Sequence, residues 1–183
     1  MWTSIATGKT ADKHGILNFI EPEQDGSVLT VSRSTSRRTK ALWNILTQSG
    51  LRTNVVAWYA SHPAEPISGV MVSNLFQEGQ PAASADPWSA VPGAVHPVSL
   101  ADQVAQSRLH PAELTAEEMM ALLPDLPRLR RDDPRPRLLA KIVAQCASVH
   151  NTATALLASG EPWDCAMIFY ETIDVAGHHF MQY

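Results

Sequence analysis

Two cysteines are all that the chain contains, Cys146 and Cys165. Their spacing forms neither a metal knuckle nor a redox pair, so thiolate metal modules and dithiol chemistry are set aside and both read as small buried hydrophobes. Positive charge is scarce as well. The formal net charge is −4, which leaves no electrostatic footprint for nucleic acid or an anionic membrane surface. The longest basic cluster, Arg128 to Arg137, is interrupted by Asp132, Asp133 and two prolines, and so reads as a solvated linker. No apolar run approaches membrane-spanning length, and residues 1–20 lack the charged start and apolar core of a signal peptide. Localisation stays open, with the cytoplasm as the default. No internal repeat or low-complexity segment is visible.

What is present is enough for one substantial core and short for two: 183 residues, 45% hydrophobic and 17% charged. Residues 1–183 are therefore expected to form a single domain. Its organising stretch is the last twenty residues. Cys165 to Tyr170 is an apolar run without helical spacing, bounded upstream by Gly160 and Pro162, which predicts a central strand buried on both faces. Beyond its carboxyl end stand Glu171, Asp174, His178 and His179, where open α/β sheets hold ligands. Asp174 and His178 are four apart, so one helical turn puts a carboxylate and an imidazole on one side. That pair suits a zinc-type divalent metal, although a closed site needs further ligands from elsewhere. The plainer alternative is a helix cap beside two surface histidines.

Taken in order, Trp2, Ile5 and Ala6 are spaced for one side of a short helix that Gly8 ends. Gly8-Lys9-Thr10 lacks the first glycine and the preceding strand of a phosphate-binding P-loop. Asp25-Gly26 predicts a turn and residues 27–32 an edge strand. Residues 36–50 predict a helix capped by Ser36 or Thr39, with Ala41, Leu42, Ile45 and Leu46 as its apolar stripe and Gly50 as its end. Asn54 to Trp58 predicts a short buried strand, followed by the loop Tyr59 to Pro66. Strand, helix and strand spaced in this way predict parallel pairing.

Residues 79–97, with Pro81, Pro87, Pro92 and Pro97, read as an irregular excursion, and residues 124–136 as a second proline-rich linker. Between them Pro111 opens a helix to about Leu123. Residues 137–159 form the longest helix, from Leu138 to Leu157 on one stripe, with His150 at its edge as a structural rather than a ligating histidine.

Three stretches together resemble the type I phosphodiesterase/nucleotide pyrophosphatase family of the alkaline phosphatase superfamily. They are Thr3-Ser-Ile-Ala-Thr-Gly-Lys-Thr-Ala-Asp-Lys-His-Gly-Ile16, then Lys40 to Leu46 through Val55-Val-Ala-Trp-Tyr59 to Pro63-Ala-Glu65, and Asp174-Val-Ala-Gly-His178. The resemblance implies an α/β fold: a three-layer sheet with helices on both faces, here incomplete because both ends of the domain are missing. It implies a phosphoric ester hydrolase with two divalent ions about 4 Å apart, zinc by preference though manganese or iron would suit the same donors. Asp174 and His178 carry over as ligands of the ion that activates water. The family's Ser/Thr nucleophile falls upstream of Met1, and Thr3, Ser4 and Thr7 are left to helix packing and capping.

Alone, these residues are expected to bind zinc weakly and not to turn over. The implied ligand is a small phosphate ester or nucleotide, with His62 and Glu65 as candidate substrate residues by their place after a strand. A sulfatase or phosphonate hydrolase shares the same scaffold. The alternative from another class is a catalytically inactive α/β interaction module. Exposed edges of a truncated sheet would also favour self-association.

Overall fold

Strand β3 (Thr53–Val56) is buried at all four positions, and the sheet is built around it. The computed structural model describes residues 1–22, 26 and 28–181. Strand β4 (Gly69–Val72) and strand β6 (Cys165–Ile168) flank β3 in parallel, and strand β5 (Val95–His96) adds to β4 antiparallel. The order is β5-β4-β3-β6. A separate antiparallel ribbon pairs β1 (Ile20–Pro22) with β2 (Leu29–Val31). Of the expected turn and edge strand, Asp25 and Ser27 lie outside the described residues.

Because side chains alternate along a strand, neighbouring residues of β3 and β4 feed opposite layers. Val55 and Met71 pack with Ala6, Ala41, Trp43 and Phe169. That layer is covered by helices α1 (Trp2–Thr7) and α3 (Leu42–Gln48). Val56 and Val72 pack instead with Val104, Val149, Ala153 and Leu156. These come from α4 (Ala101–Gln106) and the 23-residue α6 (Arg135–Leu157). The chain is thus α/β, a mixed sheet with helices on both faces.

Local signals explain most boundaries. Gly8 and Gly15, both at positive φ, close α1 and α2 (Ala11–His14). Thr115 and Glu118 form a reciprocal capping box on α5 (Ala116–Leu122). Gly69 opens β4 at φ +115, and a Cβ there would stand 2.3 Å from the Thr53 carbonyl oxygen. Only glycine lets β4 approach β3 this closely.

Several expectations are corrected. The strand at Cys165 is not central: among the described residues β6 has β3 as its one partner, and it is half-buried throughout. The α3 stripe rotates, since Trp43 is buried at 1% while Leu42 and Ile45 are 40% and 46% exposed. The reason is packing, since Trp43 fits against Val55, Met71 and Trp58 of the sheet layer; the cap is also displaced, to Ala41 rather than Ser36 or Thr39, with its N–H bonded to Asn44 Oδ1 at 2.8 Å. In α1 the buried face is Thr3, Ala6 and Thr7, leaving Ile5 outside. The 79–97 excursion ends in β5, and the 124–136 stretch holds a 3₁₀ turn over Leu126–Arg128. Strand β4 went unread because a short apolar run gives little periodicity, and helix α4 because its 6 residues span less than two turns.

Arg108 explains how the proline-rich excursion is held. It is 8% exposed and donates to the carbonyls of Phe76, Trp88, Ser89 and Ala105, with its guanidinium stacked 4.3 Å over the Trp88 ring.

Candidate active site

The carboxyl ends of β3, β4 and β6 converge on one side of the sheet. There β3 leaves through Ala57 and Ala60, non-glycine residues at φ 57 and 54. Each costs on the order of 1 kcal/mol in the left-handed region, and such strain is held only where the surroundings impose it. Between them the chain presents Trp58 inward and Tyr59 outward. The Tyr59 hydroxyl donates to the Asn18 carbonyl at 3.0 Å, and its ring meets Phe19 edge-on at 5.0 Å. From β4, Asn74 is fixed by a reciprocal pair: Ser61 N–H to its Oδ1 at 3.1 Å, and its own N–H to Ser61 Oγ at 3.0 Å.

Strand β6 leads through Phe169 and Tyr170 into helix α7 (Thr172–Phe180). These elements enclose a cleft of about 280 Å³, bordered by Phe19, Tyr59, Asn74, Phe169, Glu171 and Thr172 among others. Thr172 is 8% exposed and its hydroxyl has no hydrogen-bond partner among the described residues. Burial, and after it the charge of Asp174, pushes the Glu171 carboxyl above the usual carboxylate range.

Helix α7 brings Asp174 and His178 together as their spacing predicts. Asp174 Oδ2 lies 3.5 Å from His178 Nε2, and both side chains are open to solvent. A separation near 3.5 Å is what two ligands have across a tetrahedral zinc ion with bonds of about 2.1 Å. The carboxylate and imidazole therefore fit a divalent ion as two neighbouring ligands. Among the described residues, no group of three or more His, Cys, Asp and Glu side chains is arranged to hold a metal ion. At 78% and 72% exposure the His178 and Asp174 side chains stand in solvent rather than in an enclosed pocket.

The two candidate substrate residues stand elsewhere, and neither borders the cleft. Glu65 is occupied by protein. Its oxygens accept from Arg37 Nη2 at 2.7 and 2.8 Å, from Trp43 Nε1 at 2.8 Å and from Asn44 Nδ2 at 3.3 Å. His62 Nδ1 is 3.1 Å from Ser73 Oγ, and burial followed by the charge of Arg33 lowers its pKa.

The block around Gly8 is likewise structural. Thr7 Oγ1 donates to the Thr3 carbonyl at 2.7 Å. His14, 1% exposed, accepts the Ile16 N–H on Nδ1 at 3.1 Å, so Nε2 carries the proton toward Ser4 Oγ at 3.0 Å. His150 Nδ1 pairs with the Tyr170 hydroxyl at 3.2 Å, in keeping with a structural role. Sequence reasoning passed over Phe19, Asn74 and Thr172. Recognising β4 would have placed Asn74 at a strand's carboxyl end, but no sequence signal marks Phe19.

No helix among the described residues is long and apolar enough to cross a membrane. No curated protein and no solved structure matches the chain. The family model described as type I phosphodiesterase/nucleotide pyrophosphatase does match, over residues 1–182, which is almost the whole length and includes both the His14-Gly15-Ile16 block and the Asp174–His178 pair. The chain therefore belongs to the type I phosphodiesterase/nucleotide pyrophosphatase family.

Proposed function

We propose that this chain is part of a metal-dependent phosphoric ester hydrolase and supplies Asp174 and His178 as two ligands of one ion of a zinc-class pair. Family membership supports phosphodiesterase or pyrophosphatase-type hydrolysis. The observation that carries the reading to these residues is the 3.5 Å carboxylate–imidazole pair on the helix whose first turn also walls the cleft. When bound, such an ion lowers the pKa of a coordinated water and draws charge from a phosphoryl oxygen. Manganese or iron would be held by the same donors.

The chain's own residues have separable roles in this reading. Asp174 contributes a negative oxygen, and His178 contributes Nε2 when unprotonated, so affinity for the ion falls as the imidazole gains a proton. The cleft takes the organic part of the ester, with Tyr59 and Phe19 as its walls. Glu65 acts at a distance, by fixing the loop that follows β3. In this reading Ser4, which pairs with His14, and Thr7, which donates to the Thr3 carbonyl, hold the α1 region together and do not act as the nucleophile.

Zinc titration calorimetry on the chain and on Asp174→Ala and His178→Ala tests the ligand assignment, alongside hydrolysis of bis(p-nitrophenyl) phosphate. Weak zinc binding that is lost in either variant, with no turnover by residues 1–183, is the expected result. Zinc affinity unchanged in both variants would remove the ligand assignment. A phosphodiesterase rate that vanishes on Asp174→Ala would overturn the expectation that residues 1–183 do not turn over.

A further inference from the structure

The opposite end of the sheet holds a second cavity. It measures about 300 Å³ and lies at the amino ends of β3 and β4, with none of the residues that border the cleft beside α7. Its position follows from strand alternation. Val56 and Val72 pack into the layer formed by α4 and α6, so Asn54 and Val70, two residues earlier on each strand, face the same layer. Helix α6 ends at Leu157, and the cover thins there. Val70, Pro97, Leu100, Leu156 and Pro162 give the space an apolar lining.

Two donors border that lining. Asn54 is 8% exposed, and its Oδ1 accepts the Val70 N–H at 3.2 Å, which fixes the amide. Its Nδ2 has no hydrogen-bond partner among the described residues, a costly state for a nearly buried donor unless an acceptor reaches it through the cavity. Arg52, two residues before Asn54, stands on the same side, its carbonyl held by the N–H groups of Asp164 and Cys165. The Arg52 Nε donates to the Pro162 carbonyl at 2.8 Å, and Nη2 is 3.4 Å from Glu161 Oε2. Its Nη1 has no partner among the described residues. Glu161 is the one acidic residue on the wall, and at 75% exposure it holds the guanidinium weakly. Two steps of a strand separate Arg52 and Asn54 by about 6.6 Å, a gap that one carboxylate bridges with a hydrogen bond of about 2.9 Å to each side.

We infer that this cavity is a second ligand site, which takes a small aliphatic monocarboxylate. The carboxylate sits between Asn54 Nδ2 and the Arg52 guanidinium, in place of Glu161, and the alkyl chain lies on the apolar lining. The volume is at the lower end for ligand pockets, so it suits a chain of a few carbons rather than a long fatty acid. The site stands apart from the metal ligands and does not depend on the hydrolytic reading.

The test titrates the chain, in EDTA, with hexanoate, hexanol and acetate, and follows backbone and side-chain amides by NMR. Hexanoate is expected to bind about tenfold or more tightly than hexanol, which lacks the charge, and than acetate, which lacks the chain. Its shifts should centre on the Asn54 side-chain amide, Val70 and Leu100. Arg52→Gln should weaken hexanoate several-fold. Glu161→Gln, at an exposed position that leaves the core untouched, should strengthen it several-fold by removing the competing carboxylate.

Asp174→Ala should leave hexanoate binding in place, so failure of the metal-ligand assignment and failure of this inference are read separately. Equal affinity for hexanoate and hexanol, or no hexanoate binding, would overturn the inference. So would shifts centred on the exposed apolar residues of β1 and β2, which would mark unspecific adhesion, or a Glu161→Gln chain that binds hexanoate no more tightly than the parent.

Discussion

Replacing Glu65 by alanine should unfold the protein earlier rather than empty a substrate site. Arg37 is the reason. Its side chain is only 5% exposed, and Glu65 is its one acidic partner among the described residues, 22% exposed itself. The guanidinium also holds the Thr39 carbonyl at 2.9 Å and lies 5.2 Å from the Trp43 ring centroid. Removing Glu65 leaves a nearly buried cation without its counter-charge and strips the Trp43 Nε1 donor of its acceptor. Breaking a buried pair from one side costs about 3–5 kcal/mol. Partial access of water to the carboxylate brings the expectation down to about 3 kcal/mol.

For a chain of this length each kcal/mol moves Tm by about 2–4 °C, so a drop of about 6–12 °C is expected. Thermal unfolding by circular dichroism measures it, and zinc titration of the same variant should match the parent. A double-mutant cycle with Arg37→Ala gives the coupling directly. Coupling below about 0.5 kcal/mol, or a Tm shift within error, would refute the argument.

Two further outcomes follow from the same contacts. Burial lowers the pKa of His14 and of His62 below the ordinary 6.5, so the unfolded chain binds more protons in that range and stability should fall as pH drops from 6.5 toward the folded values. Glu171, raised above 4.5, works in the opposite sense: the folded chain takes up its proton first, so stability gains as pH falls through the raised value. Glu171→Gln should therefore steepen the acid-side loss seen in urea midpoints, and an unchanged slope would contradict the assignment.

At the sheet edge, the N–H groups of Cys165 and Phe169 donate to Arg52 and Val56, so the backbone groups of the alternate residues Ala166 and Ile168 face away from β3. Sedimentation should show concentration-dependent association through this edge, reduced in Ala166→Pro, which keeps the β3 ladder and removes one outward donor. A parent chain that stays monomeric at every concentration would end that reading.

The sequence by itself determined what depends on neighbours within a few residues. Spacing of apolar residues announced α6, a run of β-branched residues announced β3, and Gly8 ended α1 by its positive φ. Asp174 and His178 met because residues four apart share a helix face whatever the rest of the chain does.

Tertiary structure decided everything that joins distant segments. Residue 65 finds Arg37 across 28 positions, and Tyr59 finds Asn18 across 41. Trp43 instead of Leu42 faces the sheet because packing, not hydrophobicity alone, selects which side of a short helix is buried. Strand β6 reads as interior from its side chains yet stands at an edge, since strand order is fixed by crossovers that local sequence does not encode. The cleft likewise belongs to the fold: its walls come from six separate stretches, residues 19–20, 31, 57–59, 74–78, 145–149 and 169–175, that only tertiary packing brings together.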